Sequence, residues 1–372
     1  MTRAIPILAV VTACLIGHAA IAVELRFIDP TTTGPGIRDL LDFPPNQVKP
    51  EWALANRSHL VAFDPSAGHV HRLFVFLAGS GGLPAYYQRI VARAAELGFH
   101  AVSLAYPNWP AVRDLLAQET DPLVAGSIRR ERLYGVDEYP GINVDYANSV
   151  QNRLTALLAH QHAAHPDEGW DQFLSDTATP AWPLIVVAGH SQGAGHAAYL
   201  TRDQQLAGAL MFGGPGDFVS GQQAAWLFRP AVTPADRMFA FTHADDPSFG
   251  AFILNQRTLG LNQYGPAVDV DTTQPPYAGS HMLYSRLAPP PGQNPHNAVV
   301  VDAALRLDDH GRPIYEPVWD YMLNQVVPEP ATLALLAAGA LTMLRCRSRL
   351  PSTKTHSGWQ LPNPWVSAET SI

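Results

Sequence analysis

The chain has 372 residues, 47% of them hydrophobic, with 24 basic and 32 acidic side chains and a formal net charge of −8. This balance argues against nucleic acid as a partner, because such binding rests on clustered Lys and Arg that neutralise phosphates. The two cysteines, Cys14 and Cys346, both fall in terminal segments that read as addresses rather than fold, so the body of the protein has no disulfide to form and must be held by a sizeable core.

Met1-Thr-Arg3 is a short basic start, residues 5–16 are mostly apolar, and Ala20-Ile-Ala22 is an A-x-A site. That pattern predicts a secretory signal peptide cleaved after Ala22. Val11-Thr-Ala-Cys14 is a rival lipoprotein-type box, but the apolar run before it is very short and apolar residues continue beyond the cysteine. With both ends set aside, residues 23–326 carry 19 basic against 30 acidic side chains, a net charge of −11, and their length suits one α/β domain.

Within that domain, residues 72–79 read as a buried strand, 80–84 as a glycine-rich loop, 86–97 as a helix and 98–107 as a second strand, a βαβ unit of the kind that builds a parallel sheet. Residues 108–183 have room for helices that shape an entrance to a site. Over 147–164 the pattern is helical, with Val150, Leu154, Leu157 and Leu158 in one apolar stripe that reads as core. Arg129-Arg-Glu-Arg132 reads as a solvated loop.

Pro183-Leu-Ile-Val-Val-Ala-Gly-His-Ser-Gln-Gly193 joins an apolar run to G-x-S-x-G and continues into small, helix-compatible residues. This is the pattern of a nucleophile elbow, in which a buried strand stops at a tight turn and glycines let the backbone lift one serine hydroxyl clear of the sheet. Ser191 is that serine. Further strands are expected at 207–212 and 237–242, followed by the acidic loops that hold Asp217 and the adjacent pair Asp245 and Asp246. Residues 280–287 read as the last strand, 288–295 as a proline-rich loop leading to His296, and 297–305 and 317–325 as the remaining elements, with Trp319 and Tyr321 in the core.

The elbow and the βαβ unit before it resemble the α/β-hydrolase superfamily, and the G-H-S-Q-G form is similar to that of bacterial esterases, lipases and thioesterases. The resemblance covers roughly residues 60–325. It implies an α/β fold with a mostly parallel central sheet and helices on both faces. It also implies a catalytic set in the order serine, acid, histidine, because a serine hydroxyl needs a base to take its proton and an acid to orient that base. Asp246, with Pro247 after it, matches the acid position, and His296 follows the last strand, where the family places its histidine. Asp245 points elsewhere in any extended conformation. Asp217 is an alternative acid one strand earlier and otherwise reads as a solvated loop aspartate. His281, at the start of the last strand, is the rival base, where an imidazole more often satisfies neighbouring backbone. For the oxyanion, one amide is expected from Gln192 and the other from Ser80 or Gly81; the loop has Ala78-Gly79 where many members have His-Gly. No cofactor is implied. His160, His162 and His165 form the densest histidine group, yet no H-E-x-x-H or paired-cysteine pattern occurs, and no catalytic metal is expected.

Beyond residue 326 the chain reads Val327-Pro-Glu-Pro330, an apolar stretch over 331–344, and Arg345-Cys-Arg-Ser-Arg349. Those three parts resemble the PEP-CTERM sorting signal of Gram-negative bacteria, which implies recognition by an exosortase and transient membrane association through this segment. The apolar stretch is 14 residues, against the roughly 20 that span a bilayer, and a polar tail follows over 350–372. The expected organisation is therefore a signal peptide over 1–22, a hydrolase domain over 23–326, a sorting segment over 327–349 and the tail. The expected function is an exported serine hydrolase, at the cell surface, outer membrane or extracellular matrix, cleaving small-molecule or polymer esters. Thioesterases and acyltransferases use the same constellation, and a surface binding or matrix protein on a hydrolase fold is the alternative from another class.

Overall fold

Leu73–Leu77 and Ile185–His190 are unbroken runs of apolar and small residues, and in the computed structural model, which describes residues 23–176 and 179–327, they lie side by side as parallel strands inside a nine-stranded sheet. In chain order the strands are β1 (Glu24–Ile28), β2 (His59–Phe63), β3 (Leu73–Leu77), β4 (His100–Leu104), β5 (Ile185–His190), β6 (Gly208–Phe212), β7 (Phe218–Val219), β8 (Gln222–Gln223), β9 (Met238–His243), β10 (Val268–Asp269) and β11 (Met282–Ser285). Across the sheet they follow β1-β2-β4-β3-β5-β6-β9-β11-β10, while β7 and β8 form a separate small hairpin. β2 runs antiparallel to both neighbours, and every other pairing in the large sheet is parallel. The α/β fold expected from the sequence, with its mostly parallel central sheet, is the fold observed.

All residues of β2 to β6 and of β9 are buried, as a parallel sheet covered on both faces requires. Among the described residues the cover comes from seven α-helices: α1 (Gln88–Glu96), α2 (Val112–Leu116), α3 (Val124–Tyr134), α4 (Val150–Ala164), α5 (Gln192–Asp203), α6 (Phe249–Thr258) and α7 (Glu316–Gln325). One group joins α1 to α7, and another joins α3 to both α4 and α5. α4 begins where Ser149 caps it, its side chain accepting from the Asn152 amide, and it buries Val150, Leu154, Leu157 and Leu158. Trp319 and Tyr321 of α7 are buried as expected. A smaller apolar cluster of Leu40, Phe43, Trp52 and Leu83 ties the N-terminal arm, a series of short 3-10 turns, to the loop after β3.

Register brings the carboxyl ends of the central strands to one edge: Leu77 lies beside Gly189, His190 beside Phe212, and His243 beside Ser285. Ligands bind at that edge in open parallel sheets. The predicted signal peptide, sorting segment and polar tail lie outside the described residues, apart from Val327. Among the described residues no helix is long and apolar enough to cross a membrane.

Candidate active site

Ser191 occupies the turn between β5 and α5 with φ 55° and ψ −113°, a left-handed conformation that a side chain adopts only under constraint. The flanking glycines supply the constraint. A Cβ on Gly193 would stand 2.0 Å from the Leu77 carbonyl oxygen, and one on Gly189 would stand 2.3 Å from the Gly193 backbone. The strand, the turn and the helix start therefore approach more closely than any side chain permits, and the serine hydroxyl is left on the floor of a cleft of about 770 Å³.

His296 and Asp246 line the same cleft. Asp246 follows β9, is 5% exposed, and accepts from His296 Nδ1 at 2.5 Å. His296 sits in a short turn that Asn294 caps by accepting from the His296 amide. Among the described residues the Ser191 hydroxyl has no hydrogen-bond partner, so Ser191 and His296 share the cleft without a hydrogen bond between them.

The other residues singled out from the sequence stand elsewhere. Asp245 is exposed, its amide bonded to His243 Nδ1. His281 lies between the rings of Phe239 and Tyr264, each 3.9 Å away, with its Nδ1 against the carbonyls of Met238 and Ala235 and its pKa lowered by burial. His162 and His165 at the end of α4 face Asp171 and Glu168, each at 3.6 Å.

Two expectations are corrected. Asp217 is not a solvated loop aspartate: it is 4% exposed, paired through both oxygens with Arg129, and accepts from Trp226 Nε1 at 2.8 Å. Likewise residues 129–132 are not a solvated loop but part of α3, with Arg129, Glu131 and Arg132 buried. Arg129 is compensated by Asp217 and Glu131 by the amides of Tyr139 and Val144, whereas Arg132 donates through Nη2 to the Pro110 carbonyl and leaves Nε and Nη1 buried without a partner among the described residues. Arg129 also donates to the Gln192 carbonyl at 3.1 Å, and the absence of a side chain at Gly195 leaves room for its guanidinium.

Ser80, Gly81 and Gln192 line the same cleft as Ser191. The Gln192 amide opens α5, and neither it nor the Ser80 amide has an acceptor among the described residues. The Gly81 amide, by contrast, donates to the Asn108 carbonyl at 3.3 Å. Of the two alternatives in that loop, Ser80 therefore holds the free donor. Asn108 Nδ2 fixes the loop from below by donating to the carbonyls of Gly79 and Gly82.

His190, the variable residue of the elbow, links these parts and was not anticipated. The Gly79 amide donates to the Tyr87 hydroxyl oxygen at 3.1 Å, the hydroxyl donates to His190 Nδ1 at 3.1 Å, and His190 Nε2 donates to the His296 carbonyl at 3.0 Å. The amide at one end and the carbonyl at the other fix every proton in this chain. Burial lowers the His190 pKa to about 3, so the ring remains neutral. Its only sequence signal is its place immediately before the serine.

A solved structure titled "Crystal Structure of TT1662 from Thermus thermophilus" is 16% identical, with 73% of this chain and 94% of that one covered and a TM-score of 0.34. No curated protein matches the chain. Residues 326–349 match the family model described as the PEP-CTERM protein-sorting motif. The protein is thus an α/β protein that carries a C-terminal export and sorting signal of the kind exosortases recognise.

Proposed function

We propose that this protein is a serine hydrolase that cleaves carboxylic esters through an acyl-enzyme on Ser191. The observation that carries the reading is the His296–Asp246 hydrogen bond formed on one wall of the cleft that also exposes Ser191. In the first step Ser191 Oγ bonds to the ester carbonyl carbon while its proton passes to His296 Nε2. Asp246 holds the ring with Nδ1 protonated and stabilises the imidazolium. Negative charge that develops on the carbonyl oxygen is met by the amides of Ser80 and Gln192 at the positive end of α5. The tetrahedral intermediate then expels the alcohol, which takes the proton from His296. Water attacks the acyl-enzyme by the same route, releasing the acid and restoring Ser191.

Residues 23–326 form the catalytic domain in this reading, residues 1–22 are removed on export, and the C-terminal segment associates transiently with the membrane for processing. The test is time-dependent labelling by a fluorophosphonate together with hydrolysis of p-nitrophenyl esters. Both should be lost in Ser191→Ala, and a folded wild-type chain inert to both would move the protein to the surface-binding class.

A further inference from the structure

The charged residues lining the cleft are paired with one exception. Arg129 is bound to Asp217, His296 to Asp246, and Arg113 lies 3.7 Å from Asp114. Lys49, which lines the same cleft, has no ion-pair partner among the described residues. It is the one lysine in residues 23–326, a region with a net charge of −11. Isolated positive charge on the wall of a cleft in an otherwise acidic protein focuses attraction for an anion at that place.

Its position is also fixed. Lys49 stands at the head of the 3-10 turn Pro50–Leu54, and Trp52 in that turn donates its Nε1 hydrogen to the Gly81 carbonyl at 3.1 Å. The side chain then runs across Gly81, so closely that a Cβ there would lie 2.2 Å from Lys49 Cδ and 3.1 Å from Nζ. The ammonium lies 5.3 Å from the Trp109 ring centroid, a face that holds a cation without neutralising it. It is therefore held next to the residue that follows Ser80.

We infer that the cleft selects esters carrying a carboxylate within a few atoms of the scissile carbonyl, with Lys49 as the cation that receives it. This rests on the reading of the Ser80 and Gln192 amides as the oxyanion donors. A carbonyl oxygen placed on those amides brings the substrate to the residue next to Gly81, over which the Lys49 side chain runs.

The test compares the full chain as wild type, Lys49→Gln and Lys49→Arg on matched esters: 4-nitrophenyl hexanoate, mono-4-nitrophenyl adipate with a carboxylate on the acyl side, and 3-carboxy-4-nitrophenyl hexanoate with one on the leaving side. The quantity read is the ratio of kcat/KM for each carboxylate ester to that for the neutral one. At least one ratio should fall about tenfold in Lys49→Gln, stay near wild type in Lys49→Arg, and fall in wild type as salt is raised. Ratios that do not change with the substitution would overturn the inference. A second arm is independent of turnover: adipate binding to Ser191→Ala by calorimetry should weaken about tenfold when Lys49→Gln is added, and equal binding by both proteins would overturn the inference. Loss of turnover of all three esters in wild type, with the adipate difference intact, would instead count against ester hydrolysis and leave the anion site standing.

Discussion

His296 and Asp246 are 50 positions apart in the chain, yet Nδ1 of one lies 2.5 Å from Oδ2 of the other. The contact exists because β9 and β11 are parallel neighbours whose carboxyl ends share an edge, with His243 beside Ser285. Asp246→Asn keeps the shape and removes the charge: with its amide oxygen held by the Ser248 amide, its NH2 group faces His296 Nδ1 and favours the wrong tautomer. The expected result is a fall in kcat of roughly 10³–10⁴-fold on a p-nitrophenyl ester, with the thermal unfolding midpoint little changed. A variant that retained wild-type turnover would remove Asp246 from the mechanism.

Asp217 makes the opposite kind of prediction. It balances Arg129 in a site where both side chains are almost fully buried, so Asp217→Asn strands a guanidinium without its counter-charge. The expected loss is about 3–5 kcal/mol of stability in urea unfolding, and replacing Arg129 and Asp217 together by Met and Leu should recover much of it. Full stability with abolished turnover would instead make Asp217 the catalytic acid.

Strain at Ser191 has a measurable consequence. Ser191 is held at φ 55°, where glycine rests without steric penalty. Ser191→Gly should therefore unfold at higher denaturant, by about 1 kcal/mol after the added chain entropy of glycine is offset, while losing all turnover. A less stable variant would mean that the serine side chain contributes contacts worth more than the strain.

How much of this was legible in the sequence follows from how local each cause is. β3, β4, β5, β6, β9 and β11 were readable because strands buried on both faces appear as apolar runs, and the elbow because its glycines answer a clash between adjacent segments. The N-terminal arm gave no pattern, since its 3-10 turns hold together through Trp52 and the loop after β3 rather than through any periodicity. β1 and the two-residue β10 lie at the two edges of the sheet and carry little apolar pattern, whereas the buried run of β2 was as legible as the others and was missed. Arg129 and Asp217 misled because charged residues read as solvated until partners 88 positions apart meet. His190 carries no signal of its own, since its role depends on Tyr87 and on the backbone of His296.

Burial of neutral histidines sets the pH dependence of stability. His59, His100, His190, His196 and His281 all have pKa values lowered below 6.5, chiefly by burial, with His100 at about 4 and His190 at about 3. Between about 6.5 and those values the unfolded chain binds protons that the folded chain refuses, so stability falls as pH drops through that window. Asp302, raised to about 6 by burial, has the opposite sign, as do Glu131 and Glu316, while the lowered Glu24, Glu168 and Asp308 add to the loss. The histidines dominate, and the unfolding midpoint should be lower at pH 5.0 than at pH 7.5 by calorimetry. An equal or higher midpoint at pH 5.0 would show that these rings are not held neutral.

The most direct measurement is fluorophosphonate labelling and p-nitrophenyl ester hydrolysis by the full chain as wild type, Ser191→Ala, His296→Ala and His281→Ala. Labelling and turnover should be present in wild type, absent in Ser191→Ala, lost with His296 and kept with His281, whose imidazole is occupied by the carbonyls of Met238 and Ala235. A folded wild-type protein that neither labels nor turns over an ester, or activity that survives removal of Ser191, would contradict assignment of this cleft to acyl transfer.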